Sequence, residues 1–151
     1  MLRQFEDFLA LLAERHADIE RAIRGLPTEA LDWSPGLEMN SLAVLVTHTL
    51  GAERYWIGDV AMQDPSNRDR AAEFRVRGVD ESALLARLQA NTDYAREALA
   101  RLSIEDLAAM RTSPRDGREV TVFWALAHAL EHTAQHAGHI QITRQLWDQQ
   151  W

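Results

Sequence analysis

Between Thr121 and Trp147 the chain reads as one long helix carrying four histidines, His128, His132, His136 and His139, at spacings of four, four and three. At about 100° per residue their directions span only roughly 80°, and Trp124, Ala125, Ala129, Thr143 and Leu146 fall in the same sector. Glu131, Gln141 and Arg144 fall on the opposite side. The histidines therefore occupy the face that such a helix buries, where an imidazole is costly unless it finds a hydrogen-bond partner or a metal. Any fold for this chain has to bring partners to that face from another element.

Three more amphipathic segments are available to do so. Phe5, Phe8, Leu9, Leu12, Ile19 and Ile23 recur at helical steps from about residue 2 to Arg24, and Gly25 and Pro27 end that segment. The turn-rich PTEALDWSPGLEMN follows and reads as a loop. Ser41 caps a second helix with Leu42, Leu45, His48, Ala52, Tyr55 and Trp56 along its inner side. The polar stretch 63–78 is a long connection of about 16 residues. Asp80 or Glu81 opens a third helix through Leu84, Leu85, Leu88, Ala95, Leu99 and Leu102. Ser103 and Asp106 stand in capping-box spacing for a short helical turn, TSPRDGRE forms a turn, and Thr121 caps the fourth helix. Strand-type alternation is confined to a residue or two around Val120. The reading is an all-α four-helix bundle forming one domain over residues 1–151. The long second connection leaves open whether the second and third helices run antiparallel or, by crossing the bundle, parallel.

Composition removes several classes of function. The formal charge of −7 argues against a general nucleic-acid or anionic-membrane binder. The absence of cysteine excludes disulfides, thiolate metal sites and a cysteine nucleophile, so a metal has to be held by imidazole or carboxylate. All 16 basic residues are arginine, which excludes lysine Schiff-base chemistry. The early apolar run is interrupted by Glu6 and Asp7 and does not read as a secretory signal, and no apolar stretch reaches ~18 residues. A cytoplasmic location is the expectation.

Three pairings on the fourth helix compete for a cation: His128 with His132, His132 with His136, and His136 with His139. Spacing alone does not choose among them, but the small residues Ala125, Ala129 and Thr143 leave room beside His132 and His136. His48 on the inner side of the second helix is the candidate third ligand. Three imidazoles on one side of a cation leave positions open for water or substrate, as catalytic sites do. The alternative is a set of packed, hydrogen-bonded histidines, and that is the reading for His16. His128-Ala-Leu-Glu131-His132 spells the inverted zincin string, but Glu131 points roughly 100° away from His132. No Glu-x-x-His pair supports a di-iron site on either helix. Tyr55, Trp56 and Trp124 either wall a pocket or belong to the core, and Trp147 and Trp151 pack on the bundle or face a partner.

The stretches NSLAVLVTHTLGAERYW and FWALAHALEHTAQHAGHIQITRQL resemble the DinB superfamily, the DinB/YfiT-like metalloenzymes, and LSIEDLAAM and DWSPG sit where members carry similar segments. The resemblance implies a four-helix bundle of up-down-down-up topology with a divalent metal, zinc or nickel, held by His48, His132 and His136. It implies a thiol-dependent S-transferase or isomerase using a low-molecular-weight thiol such as bacillithiol or mycothiol, and a homodimer. A metal-dependent hydrolase, or a stress-response protein that binds metal or a small ligand without turnover, would share the same ligands. Relatives often carry two adjacent histidines where this chain has His136-Ala137-Gly138-His139, which leaves His139, like His128, a role beside the ligands or facing substrate. The reacting group would be a metal-bound water or thiol.

Overall fold

The computed structural model describes residues 1–150, so Trp151 lies outside the described residues. Four long helices make the frame: α1 (Arg3–Ile23), α3 (Leu42–Arg54), α5 (Glu81–Leu99) and α6 (Val122–Asp148). The expected caps are in place. Ser41 Oγ accepts from Val44 N, Asp80 from Ala83 N and Thr121 from Trp124 N, each closing a donor that the first helical turn leaves open. Ser103 and Asp106 satisfy each other's backbone amides at the start of a 3₁₀ turn, Glu105–Ala108.

Direction follows from which ends share a core. One hydrophobic cluster joins Phe5 and Leu12 of α1, Tyr55–Ala61 after α3, Ala95–Leu99 of α5 and Val122–Ala129 of α6. The other joins Ile19–Ile23, Leu42–Leu50, Leu84, Leu88, Ala137 and Ile140. Helices α1 and α6 therefore run one way and α3 and α5 the other, which is the up-down-down-up bundle. The connection between α3 and α5 travels the length of the bundle to make its two neighbours parallel.

A buried polar layer separates the two clusters, with one residue from each long helix: His16, Glu53, Asn91 and Thr133. Glu53 accepts from Thr133 Oγ1 (3.2 Å) and Asn91 Nδ2 (3.1 Å) and pairs with His16 Nε2 (2.8 Å), while His16 Nδ1 meets Thr92 Oγ1 at 2.7 Å. His16 is thus the packed, fully partnered core histidine the sequence reading favoured.

Several elements depart from the sequence reading. The proline-rich loop contains a short helix, α2 (Thr28–Asp32), and the 63–78 connection contains another, α4 (Arg70–Glu73). Helix α3 continues through Tyr55–Met62 with the wider π-helical turn and stops at Gln63, whose φ is 55°. Residues Met110–Thr112 (β1) pair antiparallel with Glu119–Thr121 (β2), a three-residue hairpin too short to leave a periodic signal. Arg144, expected on the solvent side of α6, instead reaches back so that Nη1 donates to Ala22 O at 2.9 Å, satisfying a carbonyl at the end of α1. Trp147 packs edge-on against Trp33, with ring centres 5.7 Å apart. Among the described residues no helix is long and apolar enough to cross a membrane.

Candidate metal centre

The buried stripe of α6 runs through Ala125, Leu126, Ala129, Thr133, Ala137 and Ile140, not through the histidines. Small residues dominate that stripe and allow α1 and α3 to approach closely. This corrects the sequence reading of the histidine face: His132 and His136 flank the stripe, half-buried, and His139 is exposed. Leu146, assigned to the same face, is exposed as well.

What the offset produces is a cleft between α3 and α6. His48, buried on α3, faces His132 and His136, with ring centres 5.1 and 5.0 Å away, and the rings of His132 and His136 stand 4.4 Å apart. Each of the three offers a nitrogen, and these nitrogens all lie within 4.8 Å of one another. Among the described residues this trio is the His/Asp/Glu group so placed.

The protonation states suit ligation. Burial first, then the neighbouring imidazoles, push His132 down to about 3 from its ordinary 6.5, and His136 to about 4. Both rings are neutral at pH 7. His132 Nδ1 is buried without a hydrogen-bond partner, an unusual state for a polar atom unless something from outside completes it. His136 Nδ1 meets His139 Nδ1 at 3.2 Å, so one of these imidazoles donates to the other.

His48 is held from behind. Its Nδ1 lies 3.0 Å from Glu73 Oε2, and a carboxylate only accepts, so Nδ1 carries the proton and Nε2 is left with a free lone pair. Arg68 Nη2 also lies 3.4 Å from Nδ1, but two donors do not bond, and that contact is proximity alone. Arg68 instead grips Glu73 with Nε and Nη2 at 2.6 and 2.8 Å. Burial works to raise the Glu73 pKa, yet the bonds from Arg68 and His48 outweigh it and keep the carboxyl below its usual range. Glu73 packs directly over Gly51, where a Cβ would lie 2.8 Å from its Cδ.

The remaining expected pocket residues divide. Trp56 and His128 join His48 and His132 around a cavity of about 180 Å³, and Trp56 is at the same time buried in the core. Trp124 stacks on His128 at 4.7 Å and lies one step out from that cavity. Tyr55 is buried and does not line that cavity; its hydroxyl is bonded to Ser113 Oγ at 2.8 Å. His139 touches the trio only through His136. Glu131 is exposed, 3.5 Å from His128, so the inverted-zincin arrangement is not formed. Sequence reasoning did not find Glu73, Arg68 or Phe74, whose ring lies 4.8 Å from that of His48. All three sit in the polar connection, and the short α4 that fixes Glu73 and the neighbouring Phe74 has too few residues for periodicity to register.

The mycothiol-S-transferase family profile matches residues 7–149. The chain belongs to the mycothiol-S-transferase family. This is a DinB-like family, so the resemblance drawn from the helical motifs holds. No curated protein matches the sequence. Among solved structures, a conserved protein from Enterococcus faecalis is similar with a TM-score of 0.81 at 15% identity, covering 97% of this chain and 98% of that one. YfiT from Bacillus subtilis, described as a probable metal-dependent hydrolase with an unusual four-helix bundle topology, is similar with a TM-score of 0.75 at 17% identity, covering 100% of this chain and 91% of that one. At such identities the likeness concerns the fold, which these proteins share with this member of the mycothiol-S-transferase family.

Proposed function

We propose that the protein is a metal-dependent S-transferase that joins a low-molecular-weight thiol, mycothiol, to a small electrophile at a divalent cation held by His48, His132 and His136. The observation that carries this reading is the convergence of three imidazole nitrogens within 4.8 Å in a chain matched by the mycothiol-S-transferase profile. The donor set fits zinc or nickel, since imidazole suits both and three ligands leave coordination open. A cation bound there lowers the pKa of a thiol that joins it, providing the nucleophile at neutral pH.

The chain's own residues do the rest. Glu73 keeps the His48 proton on Nδ1 and so turns Nε2 toward the centre. Trp56 walls the cavity and keeps water off one side of it. In the reaction the thiol loses its proton to solvent, the sulfur lone pair forms a C–S bond, and the electrophile's leaving group departs with the electron pair of the broken bond.

Hydrolysis is the second reading. It is supported by the likeness to the Bacillus subtilis protein, a probable metal-dependent hydrolase, and by open coordination that serves water as well as thiol. A stress-response protein that binds metal or ligand without turnover would use the same ligands. Incubation of zinc- or nickel-loaded protein with mycothiol and 1-chloro-2,4-dinitrobenzene, read by mass spectrometry, separates them. Under transferase action the conjugate forms faster with wild type than with His48→Ala, release of 2,4-dinitrophenol identifies hydrolysis, and stoichiometric binding with neither product above the enzyme-free rate identifies the binder. The family resemblance also implies a homodimer, which sedimentation equilibrium tests.

A further inference from the structure

In a chain of formal charge −7, three guanidiniums gather beside the three-histidine centre. Arg68, Arg70 and Arg115 complete the wall of the 180 Å³ cavity that holds His48 and His132. The same three border a second cavity of about 520 Å³, whose other walls include Tyr55, Gln63 and Pro114. They stand where the two spaces meet.

The three differ in how far the protein neutralises them. Arg68 is engaged by both oxygens of Glu73. Arg70 makes no hydrogen bond or ion pair among the described residues, and its guanidinium carbon lies 5.0 Å from the Phe74 ring centre. The Arg115 guanidinium pairs with the adjacent Asp116 at 3.4 Å, both side chains near half exposure (48% and 41%), a pairing that contributes little, and its carbon lies 5.8 Å from the Tyr55 ring centre. Asp116 is itself drawn to the loop, accepting from Arg118 N at 3.2 Å. Asp59, the carboxylate in the larger cavity, is already held by Arg54 (3.4 Å) and Ser66 N (3.1 Å).

The two open arginines are also held in place. Arg70 begins α4, the helix that delivers Glu73 to His48. Arg115 lies in the hairpin turn, and its backbone N–H donates to the buried Tyr55 hydroxyl at 3.1 Å. Two such arginines, each with a planar fork of donors, match a carboxylate or phosphate, and a cleft lined by one sign of charge concentrates anions.

We propose that Arg70 and Arg115 form an anion-binding mouth to the His48–His132–His136 centre, so that a reactant handled there carries a carboxylate or phosphate group beside its reacting atom. This rests on the centre being a reaction site, as proposed above. Because mycothiol carries neither group, the anionic group belongs to the acceptor.

Calorimetric titration with succinate, and with dimethyl succinate as its uncharged counterpart, tests the mouth on both metal-free and zinc-loaded protein. Succinate binds wild type in both forms, binding weakens at least tenfold in Arg70→Ala/Arg115→Ala, and dimethyl succinate shows no comparable affinity. Arg96→Ala, at an exposed arginine of α5 that borders neither cavity, leaves succinate affinity unchanged. Equal affinity for the ester, unchanged affinity in the double variant, or an equal loss in Arg96→Ala overturns the proposal. Separate Arg70→Gln and Arg115→Gln variants carry the test if the double variant does not fold. Zinc content is read alongside: wild type that takes up no zinc refutes the metal centre, while the metal-free titration still decides the mouth. In turnover, succinate competing with 1-chloro-2,4-dinitrobenzene supports the acceptor as the anionic reactant, and competition with mycothiol alone overturns that assignment.

Discussion

Glu73 Oε2 stands 3.0 Å from His48 Nδ1, so a carboxylate from the crossover connection fixes the tautomer of the one candidate ligand that does not come from α6. Outer partners of this kind typically change metal affinity about 10–100-fold when removed. Glu73→Ala is expected to weaken zinc binding by that order, read by competition with a chelator of known affinity. Glu73→Gln, which keeps an acceptor for Nδ1–H, restores part of it. Equal affinities in all three proteins would remove Glu73 from the account.

Gly51 gives a second approach to the same contact. A Cβ at this position would clash with Glu73 Oε1, so Gly51→Ala has to displace the carboxylate from His48. The expected result is a loss of zinc affinity close to that of Glu73→Ala. The two changes combined cost no more than one alone, because they break the same contact. Additive losses would show that Gly51 acts elsewhere.

His16 is a histidine of a different kind. It pairs with Glu53, buried at 1% exposure, in the polar layer between the two hydrophobic clusters. His16→Ala leaves that carboxylate short of a partner and is expected to cost about 3 kcal/mol of stability by urea denaturation. Zinc content per folded chain stays at the wild-type level. Loss of zinc without loss of stability would make His16 a ligand instead.

Acid should destabilise the metal-free protein. With His132 and His136 held near 3 and 4 in the fold, the unfolded chain takes up protons on both as pH falls below about 6.5 while the folded chain does not. Stability therefore drops between about pH 6.5 and pH 4, and the depressed Glu73 carboxyl extends the loss at still lower pH. Urea midpoints at pH 7.5, 5.5 and 4.5 measure it. The slope is shallower in His132→Gln, and an unchanged slope would contradict the assignment.

The long helices were legible because each carries many periodic residues and a side-chain cap, as at Ser41, Asp80 and Thr121. The trio His48, His132 and His136 was legible because imidazoles at helical spacing are rare on a face near the core. What supports them was not. Glu73 and Arg68 lie in a charged stretch that looks like any solvated connection, and only the crossover that makes α3 and α5 parallel carries them to His48. Glu53 was hidden for another reason: its charge type favours solvent, and its partners lie 37, 38 and 80 residues away. The shift of the buried stripe from the histidines toward Thr133 and Ala137, in line with Ala125 and Ala129, follows from helix packing distance, because small side chains, not large ones, mark the line of closest approach.

Metal content of protein purified without chelator, measured by inductively coupled plasma mass spectrometry after exposure to zinc and to nickel, tests the central claim most directly. The account predicts one divalent cation per wild-type chain and none in His132→Ala/His136→Ala, with the helical signal of the variant intact. Wild-type protein that takes up neither metal, or a double variant that holds as much as wild type, would contradict it.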